Sequence, residues 1–166
     1  MTERNILTKV SHPFIVDLHA AFQTSKKLFL VLEYCPCGDM GGVLKKQKRF
    51  PEEIARIYIC EVLLAIEHLH KNGIIYRDLK PENIVLDAQG HIKLTDFGLS
   101  KENINDDYLS TSFIGSHAYL APEVLREQPH GKSIDWYGLG ALLYEFLVGV
   151  PPYIATDLET LYNNIR

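Results

Sequence analysis

Residues 76–83 read YRDLKPEN and residues 95–98 read TDFG, and these two stretches indicate the fold of the chain more clearly than any others. Residues 84–94 between them have the strand–turn–strand pattern of a β-hairpin. One loop therefore supplies an aspartate, a lysine and an asparagine, and a second loop beyond the hairpin supplies another aspartate. Phosphoryl transfer from a magnesium–nucleotide complex requires a base, a phosphate-neutralising cation and metal ligands on different loops. The two stretches together predict this type of chemistry.

Within these loops, Asp78 is the candidate base, which would accept the proton of a substrate hydroxyl. Lys80 can reach the transferring phosphate and offset its charge. Asn83 and Asp96 offer an amide oxygen and a carboxylate, which are hard oxygen ligands suited to Mg²⁺ when phosphate oxygens complete the coordination. A lone aspartate more often caps a helix or shapes a turn. A capping or turn role for Asp78 and Asp96 is much less favoured here, because many positions of the first stretch fit the chemistry and a second stretch follows at a suitable spacing.

Length and composition are those of one folded domain. The 166 residues are enough for one hydrophobic core, and 46% hydrophobic with 23% charged residues is typical of a globular protein. The formal net charge of −4 argues against broad nucleic-acid binding, because the phosphate backbone attracts cations. Local acidic side chains are still suited to a basic peptide.

No membrane segment or targeting segment is apparent in the sequence. The longest apolar run, residues 136–148, contains Glu145 and is shorter than the roughly 20 apolar residues that a membrane span needs. The first residues contain an acid and lack the apolar block of a signal peptide. A cytosolic or nuclear location is therefore expected. The three cysteines match neither a disulfide framework nor a zinc site, and are expected to be small buried or hinge residues.

The first part of the chain is predicted to be strand-rich. Residues 3–7 resemble the end of a helix, and residues 14–23 and 28–34 are rich in the branched and aromatic side chains typical of strands. Residues 24–27 are predicted to form the turn of a hairpin between them. A proline and three glycines then interrupt regular structure, so residues 33–42 are predicted to be a hinge. Ligand sites favour such seams between two structural units.

The second part is predicted to be mainly helical. Pro51 opens a helix with an apolar stripe that Asn72-Gly73 ends. Residues 101–115 form an irregular polar stretch. Residues 133–148 predict a second helix that is apolar nearly all round and therefore buried. A further helix is predicted to begin at Asp157.

The two loops resemble the catalytic and metal-binding loops of eukaryotic protein kinases. Two more stretches match the same family. GSHAYLAPE at residues 115–123 resembles the end of the kinase activation segment, and DWYGLG at residues 135–140 resembles the start of the central buried helix. The resemblance implies that Asp135 holds the backbone of the catalytic loop. It covers the whole chain without a detectable gap.

Within that family, Lys80 is typical of serine/threonine kinases rather than tyrosine kinases. Tyr76, where most kinases have histidine, resembles the AGC group, which contains the cyclic-nucleotide-dependent and C-type kinases. The LAPE pattern at residues 120–123 and the SF-x-G pattern at residues 112–115 resemble the same group. These matches imply a serine/threonine protein kinase that uses ATP and Mg²⁺.

The resemblance implies an α+β, protein-kinase-like fold with a partial small lobe. Residues 1–34 would be the small-lobe remnant, comprising the end of helix C and strands 4 and 5, residues 35–42 the hinge region, and residues 43–166 most of the mainly helical large lobe. The N-terminal strands and the last large-lobe helices are expected to be absent. No Gly-x-Gly-x-x-Gly occurs in the 166 residues, and no strand lysine precedes Glu3. These residues by themselves are therefore predicted to be weakly active or inactive.

The same resemblance assigns residues to the ATP site. Glu3 matches the helix glutamate that pairs with the ATP-binding lysine, and Leu32 matches the gatekeeper. Glu33 and Cys35 fall on the hinge, whose backbone would bond adenine. Val85 would form the floor of the purine pocket.

The activation segment contains a predicted phosphorylation site. By the resemblance, Ser112 matches the usual phosphorylated position, which an upstream activating kinase would modify. The Arg77 guanidinium is suited to hold a phosphate through two hydrogen bonds, and Lys101 would supply a second charge. For Ser110 and Thr111, an ordinary solvated loop is the favoured interpretation.

The resemblance also predicts a basic protein substrate. Asp39, Glu82 and Glu145 match the acids that select arginine two and three positions before the phosphorylated residue. The alternative of an ordinary surface acid is strongest for Asp39, which is shorter than the usual glutamate. Ser116 matches the hydroxyl that bonds the catalytic aspartate and lysine. His117 replaces the usual proline and would line the pocket for the substrate residue after the phosphorylated one, which brings the usual hydrophobic preference there into question.

Two other functional classes compete with the kinase hypothesis. A non-catalytic, kinase-derived interaction module would fit the missing nucleotide loop, but such a module has no need of Asp78, Asn83 and Asp96 together. A small-molecule kinase on the same scaffold is disfavoured by the intact activation segment at residues 96–123.

Overall fold

The computed structural model describes residues 2–105 and 107–166. Both hairpins of this part of the chain lie between residues 18 and 94, and the helices lie before, between and after them. Helices are α1 (Thr2–Leu7), α2 (Met40–Gln47), α3 (Glu52–Lys71), α4 (Pro122–Leu125), α5 (Ser133–Val148) and α6 (Leu158–Ile165). Strands are β1 (Leu18–Gln23), β2 (Leu28–Leu32), β3 (Ile84–Leu86) and β4 (Ile92–Leu94). Two short 3-10 turns span Pro81–Asn83 and His117–Tyr119.

The first hairpin is formed by β1 and β2, which pair antiparallel around the predicted turn. Thr24 closes this turn, because its hydroxyl oxygen accepts the Lys27 amide at 3.0 Å. The predicted first strand was too long at its start. Ile15 and its neighbours pair with β4 instead, where the Val16 amide donates to the Leu94 carbonyl at 3.0 Å. Residues 14–16 therefore pair with β4, which lies far along the chain, and do not extend β1.

The second hairpin, β3 with β4, has the predicted position and places the two motif loops together. Ile84 lies opposite Leu94, so the residues just before β3 and just after β4 are neighbours. The Thr95 amide donates to the Asn83 carbonyl at 3.0 Å and continues the pairing by one step. The ends of the YRDLKPEN and TDFG stretches therefore meet.

Helix α3 provides the main apolar stripe of the core, as its periodicity predicted for residues 58–69, whereas Ile54, which the same periodicity placed on the stripe, is 40% exposed. Val62, Ala65, Ile66 and Leu69 are fully buried. Buried side chains of α1, of the second hairpin and of α5 belong to the same cluster. The core therefore lies directly behind the hairpin that positions the motif loops.

Helix α5 has the predicted bounds but not the predicted burial. Leu142 and Phe146 are fully buried, whereas Trp136, Tyr144 and Val148 are 40%, 43% and 47% exposed. The expectation of burial on all sides was therefore wrong. One face of α5 packs on the core, and in residues 2–105 and 107–166 the opposite face remains accessible to solvent.

Helix α2 was not predicted, because its glycines were taken as breakers of regular structure. It begins inside the predicted hinge, so residues 40–42 form its first turn. Asp39 caps this turn by accepting the Gly42 amide at 2.8 Å. Gly41 is favoured by close packing, since a Cβ there would lie 3.3 Å from Cγ of Glu82. Local capping and packing outweigh the low helix propensity of glycine.

The cysteines and the apolar helices were the subject of two expectations from composition. Cys35, Cys37 and Cys60 are free thiols, and Cys60 is exposed on α3 rather than buried or in a hinge. None of the helices in the described part of the chain combines the length and apolarity needed to cross a membrane.

Candidate active site

The YRDLKPEN loop is fixed from below by Asp135 at the start of α5. One carboxylate oxygen of Asp135 accepts the Tyr76 amide at 2.9 Å, and the other accepts the Arg77 amide at 2.8 Å. His70 Nε2 lies 2.7 Å from the same carboxylate. Arg77 takes a positive φ of 71°, an unusual conformation that these bonds help to hold. The loop backbone is therefore positioned by a buried side chain 58 residues away.

Tyr76 joins the two motif loops. Its hydroxyl donates to the Thr95 carbonyl at 2.6 Å, and its ring contacts Phe97 edge-to-face at a centroid distance of 5.4 Å. Burial, with the charges of Asp78 and Asp96, raises the pKa of Tyr76 well above its ordinary value. The hydroxyl therefore remains a hydrogen-bond donor at any physiological pH.

Asp78 is surrounded by donors. Its two carboxylate oxygens accept the Ser116 hydroxyl at 2.7 Å, the Lys80 ammonium at 2.8 Å and the Asn83 amide at 2.8 Å. Burial by itself raises the pKa of this carboxyl, but the hydrogen bonds from Lys80, Ser116 and Asn83 outweigh it, so the pKa is lowered. Asp78 is thus an ionised carboxylate at neutral pH, which is the state that a base requires.

Lys80 and Ser116 complete a triangle with Asp78, because the Lys80 ammonium also lies 3.0 Å from the Ser116 hydroxyl. Three of the predicted site residues, from two distant stretches, therefore meet at one point. A cation next to the base can offset charge on a reacting group bound there.

Asn83 and Asp96 have the chemistry that a magnesium ion requires. Asn83 donates its amide hydrogens to the Asp78 carbonyl at 2.9 Å and to the Asp78 carboxylate at 2.8 Å, which leaves its carbonyl oxygen for another partner. Asp96 has a φ of 55° and is exposed. No cluster of three or more histidine, cysteine or acidic side chains suited to a metal occurs in residues 2–105 and 107–166. A cation held by this pair would need further oxygen ligands, and phosphate oxygens supply them.

Several residues matched to the ATP site contact the second hairpin or the loop that follows it. The Phe97 amide is 3.4 Å from the Glu3 carboxylate, so Glu3 contacts the TDFG loop. The segment after Cys35 runs along β3, with the Leu86 amide donating to the Gly38 carbonyl at 2.9 Å. Half-buried Val85 forms a bridge with Asp39 in the same region.

The hinge residues Glu33 and Cys35 have different environments. The Glu33 carboxylate pairs with the Lys93 ammonium at 2.8 Å and its backbone amide donates to the Asp17 carbonyl at 2.8 Å, which leaves the backbone carbonyl of Glu33 for a ligand. Burial, followed by the charge of Glu33, raises the pKa of the Cys35 thiol. Cys35 is therefore a neutral, half-buried side chain, and Leu32 beside this segment is half-buried as well.

The three acids matched to substrate recognition are in different situations. Glu82 and Glu145 both line a cleft of about 450 Å³ beside α2. The Glu145 carboxylate accepts the Tyr119 hydroxyl at 2.5 Å. Asp39, by contrast, caps α2. Glu82 and Glu145 therefore share one cleft, whereas Asp39 caps a helix.

Protonation of Glu145 should affect stability. Burial, with the nearby charge of Glu82, raises its pKa more than the Tyr119 hydrogen bond lowers it. The folded chain therefore binds this proton more tightly than the unfolded chain, so the stability linked to it is present at low pH and is lost as pH rises. Glu145→Gln should raise the free energy of unfolding at neutral pH, because folding no longer buries a carboxylate.

Urea titrations of the purified protein at several pH values measure this effect. The gain from Glu145→Gln should fade as the pH falls toward about 4, where carboxyl groups are protonated in the unfolded chain. Glu127→Gln, at an exposed carboxylate, is the control and should change little. A Glu145→Gln protein less stable than wild type at pH 7 would contradict the assignment.

The activation segment has no regular helix or strand from residue 101 to 115 in its described part, as predicted. The hydroxyls of Ser110 and Ser112 hydrogen-bond to each other, and the backbone of Ser110 pairs with that of His130. The Arg77 Nε donates to the Leu99 carbonyl at 2.7 Å, and exposed Lys101 pairs through its backbone with Ile75. Arg77 and Lys101 thus border the segment but have other backbone contacts.

Two tyrosines of the site were not identified from the sequence. Tyr119 bonds Glu145, and the Tyr162 hydroxyl lies 2.6 Å from His117 Nδ1. The paired residues are separated by 26 and 45 positions. No local pattern signals such pairs, since helix and strand periodicities relate only near neighbours.

The chain is similar to known proteins along its whole length. The family model described as "Protein kinase domain" matches residues 1–166. Serine/threonine-protein kinase Sgk2 of Mus musculus is 52% identical over 99% of this chain and 45% of its own length. Sgk1 of Homo sapiens is 51% identical over 99% of the chain and 38% of its length. Sgk3 of Rattus norvegicus is 50% identical over 99% of this chain and 34% of its own length. The chain therefore spans less than half the length of these curated relatives.

Proposed function

The chain belongs to the protein kinase domain family, and we propose that the protein containing it transfers the γ-phosphate of ATP to serine or threonine hydroxyls of protein substrates. The resemblance to AGC-group serine/threonine kinases and the α+β fold predicted from the sequence are confirmed. The observation that carries the proposed activity is the ionised Asp78 carboxylate, held by Lys80, Asn83 and Ser116.

In this proposal, Asp78 accepts the proton of the substrate hydroxyl, and Lys80 stabilises negative charge on the transferring group. Ser116 keeps both side chains in place, because it is bonded to each. Bound Mg-ATP would supply the phosphoryl group and its metal, which Asn83 and Asp96 would hold.

The ATP site is proposed from the matched residues. The backbone of Glu33 and Cys35 would bond adenine, Val85 would lie under the purine, Leu32 would border it, and Glu3 would orient a lysine supplied from outside these residues. The contact between Glu3 and the TDFG loop supports this arrangement. We also propose that the 166 residues alone transfer phosphate weakly, because they contain no Gly-x-Gly-x-x-Gly. The cytosolic or nuclear location stays a prediction. The division of the chain into a small-lobe remnant, a hinge region and a large lobe also stays a prediction.

The activity and its basic substrate preference are tested together on the full-length protein. With Mg-ATP, a serine peptide carrying arginine two and three positions upstream should be phosphorylated faster than its alanine counterpart, and a tyrosine peptide should not react. Glu82→Gln should reduce the preference for arginine about fivefold, since it removes one charge contact. Asp39→Asn is the matched variant, because asparagine also caps a helix.

Each result has a defined meaning. If Asp39 only caps α2, Asp39→Asn leaves the arginine preference unchanged. Equal rates for the arginine and alanine peptides in the wild-type protein would refute the substrate preference alone. A full-length protein that neither binds ATP nor phosphorylates any peptide would refute the kinase proposal and favour the interaction-module alternative.

Phosphorylation at Ser112 is proposed to order the activation segment. A phosphate there would break the Ser110–Ser112 hydroxyl pair and attract the Arg77 and Lys101 cations. After treatment with an activating kinase, Ser112→Ala should be at least about tenfold less active than wild type, the value of one charge-assisted hydrogen bond. Ser110→Ala removes the partner hydroxyl and should still be activated. Equal activation of Ser112→Ala and wild type, measured by peptide phosphorylation, would contradict the role.

A further inference from the structure

The cleft beside α2 is lined by charges of both signs. Lys45 and Lys48 line this cleft of about 450 Å³, and so do Glu82 and Glu145. Lys45 lies in the last turn of α2, and Lys48 is the residue that ends the helix. The α2 side of the cleft therefore carries positive charge, whereas the sides formed by the 3-10 turn after Lys80 and by α5 carry negative charge.

The opposite charges in the cleft do not neutralise each other. Lys45, Lys48 and Glu82 are exposed to solvent. In the part of the chain that the structure describes, none of the ion pairs includes either lysine or either glutamate of the cleft. An open cleft that presents both signs of charge is complementary to a ligand that also carries both signs.

The fold does not account for a lysine at position 48. Lys48 has a φ of 70°, a conformation that glycine adopts at lower cost. Its amide donates to the Leu44 carbonyl at 2.7 Å, and any side chain on Gly149 would clash with its carbonyl oxygen. The backbone there is therefore closely packed, while the exposed ammonium forms no ion pair in the described part of the chain that would offset the strain.

A peptide of mixed charge suits this cleft better than an anionic membrane surface does. A bilayer surface is broad, and an anionic one would bring negative charge against Glu82 and Glu145. A peptide enters a concave site and can place a cation next to the glutamates and an anion next to the lysines. In the proposed kinase function, the cation is an arginine two or three positions before the phosphorylated residue.

We propose that Lys45 and Lys48 select acidic side chains of the substrate that lie upstream of its arginines. The inference rests on the proposed kinase function and names its substrate class, segments in which acidic residues precede a basic pair. Acids downstream of the arginines would approach Asp78 instead. A cleft of 450 Å³ is about 8 Å across, which two or three residues of extended chain span at about 3.4 Å each. The acids should therefore lie five and six positions before the phosphorylated residue.

The test uses full-length protein and three serine peptides with arginine two and three positions upstream. The peptides differ only at positions five and six upstream, which are both glutamate, both glutamine or both lysine. In the wild-type protein, kcat/KM should be about fivefold higher for the glutamate peptide than for the glutamine peptide, the value of two exposed charge contacts. The difference should lie in KM, because these contacts are away from the transferred proton, and it should shrink at high salt.

Substitutions of the two lysines test whether they make the contact. Lys45→Gln with Lys48→Gly removes both charges and gives position 48 the residue that its φ favours, so this variant should fold and its glutamate-to-glutamine ratio should fall to about one. Lys45→Glu with Lys48→Glu should prefer the lysine peptide to the glutamate peptide. Lys26→Gln, at an exposed lysine in the turn of the first hairpin, is the matched control and should keep the fivefold ratio.

Peptide binding without ATP, measured by fluorescence anisotropy, separates this inference from the kinase function. If no peptide is phosphorylated but the glutamate peptide binds more tightly and the uncharged double variant loses this preference, the kinase function is refuted and the mixed-charge recognition stands. Equal rates and equal binding for the glutamate and glutamine peptides in wild type would overturn the inference alone. A peptide preference that persists in the uncharged double variant would also overturn it, and loss of phosphatidylserine vesicle binding in that variant would then assign the lysines to a membrane surface.

Discussion

Replacing Asp78 with asparagine in the full-length protein should lower kcat for peptide phosphorylation by a factor of about 10² to 10⁴, the usual contribution of a positioned base. Asparagine keeps the size of the side chain but cannot accept the substrate proton. It also loses the negative charge that holds the Lys80 ammonium at 2.8 Å. The loss should appear in kcat more than in KM, because the proton is transferred only during the reaction.

Asp157→Asn is the matched control for this variant. Asp157 caps α6 by accepting the Thr160 amide at 2.8 Å, and asparagine caps a helix equally well. The same chemical change should therefore leave activity unaltered when it is made away from the site. Nucleotide binding and thermal unfolding of Asp78→Asn should be measured in parallel. A folded, ATP-binding Asp78→Asn protein with kcat within threefold of wild type would exclude Asp78 as the base.

The acid side of the pH profile gives independent information on Asp78. Because its pKa is lowered in the folded chain, the carboxylate contributes stability above the ordinary carboxyl pKa and loses it as pH falls through the lowered value. The same ionisation would keep Asp78 able to accept a proton through the neutral range, as the proposed role requires.

Asp135→Ala should cause the largest loss of stability, about 3–5 kcal/mol, as expected when one partner of a buried polar network is removed. Asp135 is 2% exposed, and its carboxylate accepts the Tyr76 and Arg77 amides and contacts His70. Without it, backbone donors are left unsatisfied in a region that water does not reach. Since domains of this size have free energies of unfolding of about 5–15 kcal/mol, the variant should be close to unfolding.

Asp87→Ala separates burial from hydrogen bonding. Asp87 also accepts two backbone amides, those of Gln89 and His91, each at 2.9 Å. It lies in the turn between β3 and β4, where water can replace it, so its loss should cost only about 1 kcal/mol. Urea unfolding of both variants provides the comparison. Equal losses for Asp135→Ala and Asp87→Ala would show that the buried carboxylate does not organise the loop.

Much of the fold followed from local patterns. The end of α3 near Asn72 and the hairpin between the two motif loops have the predicted positions, and so does the stripe of α3 apart from exposed Ile54. Local reasoning was wrong where a distant partner intervened. Residues 14–16 pair with β4, far along the chain. Helix α2 was missed for a different, local reason, because its glycines were taken as breakers and the cap at Asp39 was not recognised.

In the candidate site, too, some features were predicted from the sequence and others were not. Asp78, Lys80, Asn83 and Asp96 were identified by residue type and spacing, and the structure brings Asp78, Lys80 and Asn83 into direct contact. The surroundings of the acidic side chains were not predictable from the sequence. Glu82 faces a cleft and Asp39 caps a helix, although both were matched to the same role.

The sequence by itself determined the family and the candidate positions of a base, a cation and metal ligands, because these residues lie in short stretches whose spacing the proposed chemistry requires. Only the tertiary structure decided how the side chains are connected. The Ser116–Asp78, Tyr119–Glu145 and Tyr162–His117 bonds join residues 38, 26 and 45 positions apart. Such contacts depend on how helices and loops pack around the core, and neither local propensity nor periodicity contains that information.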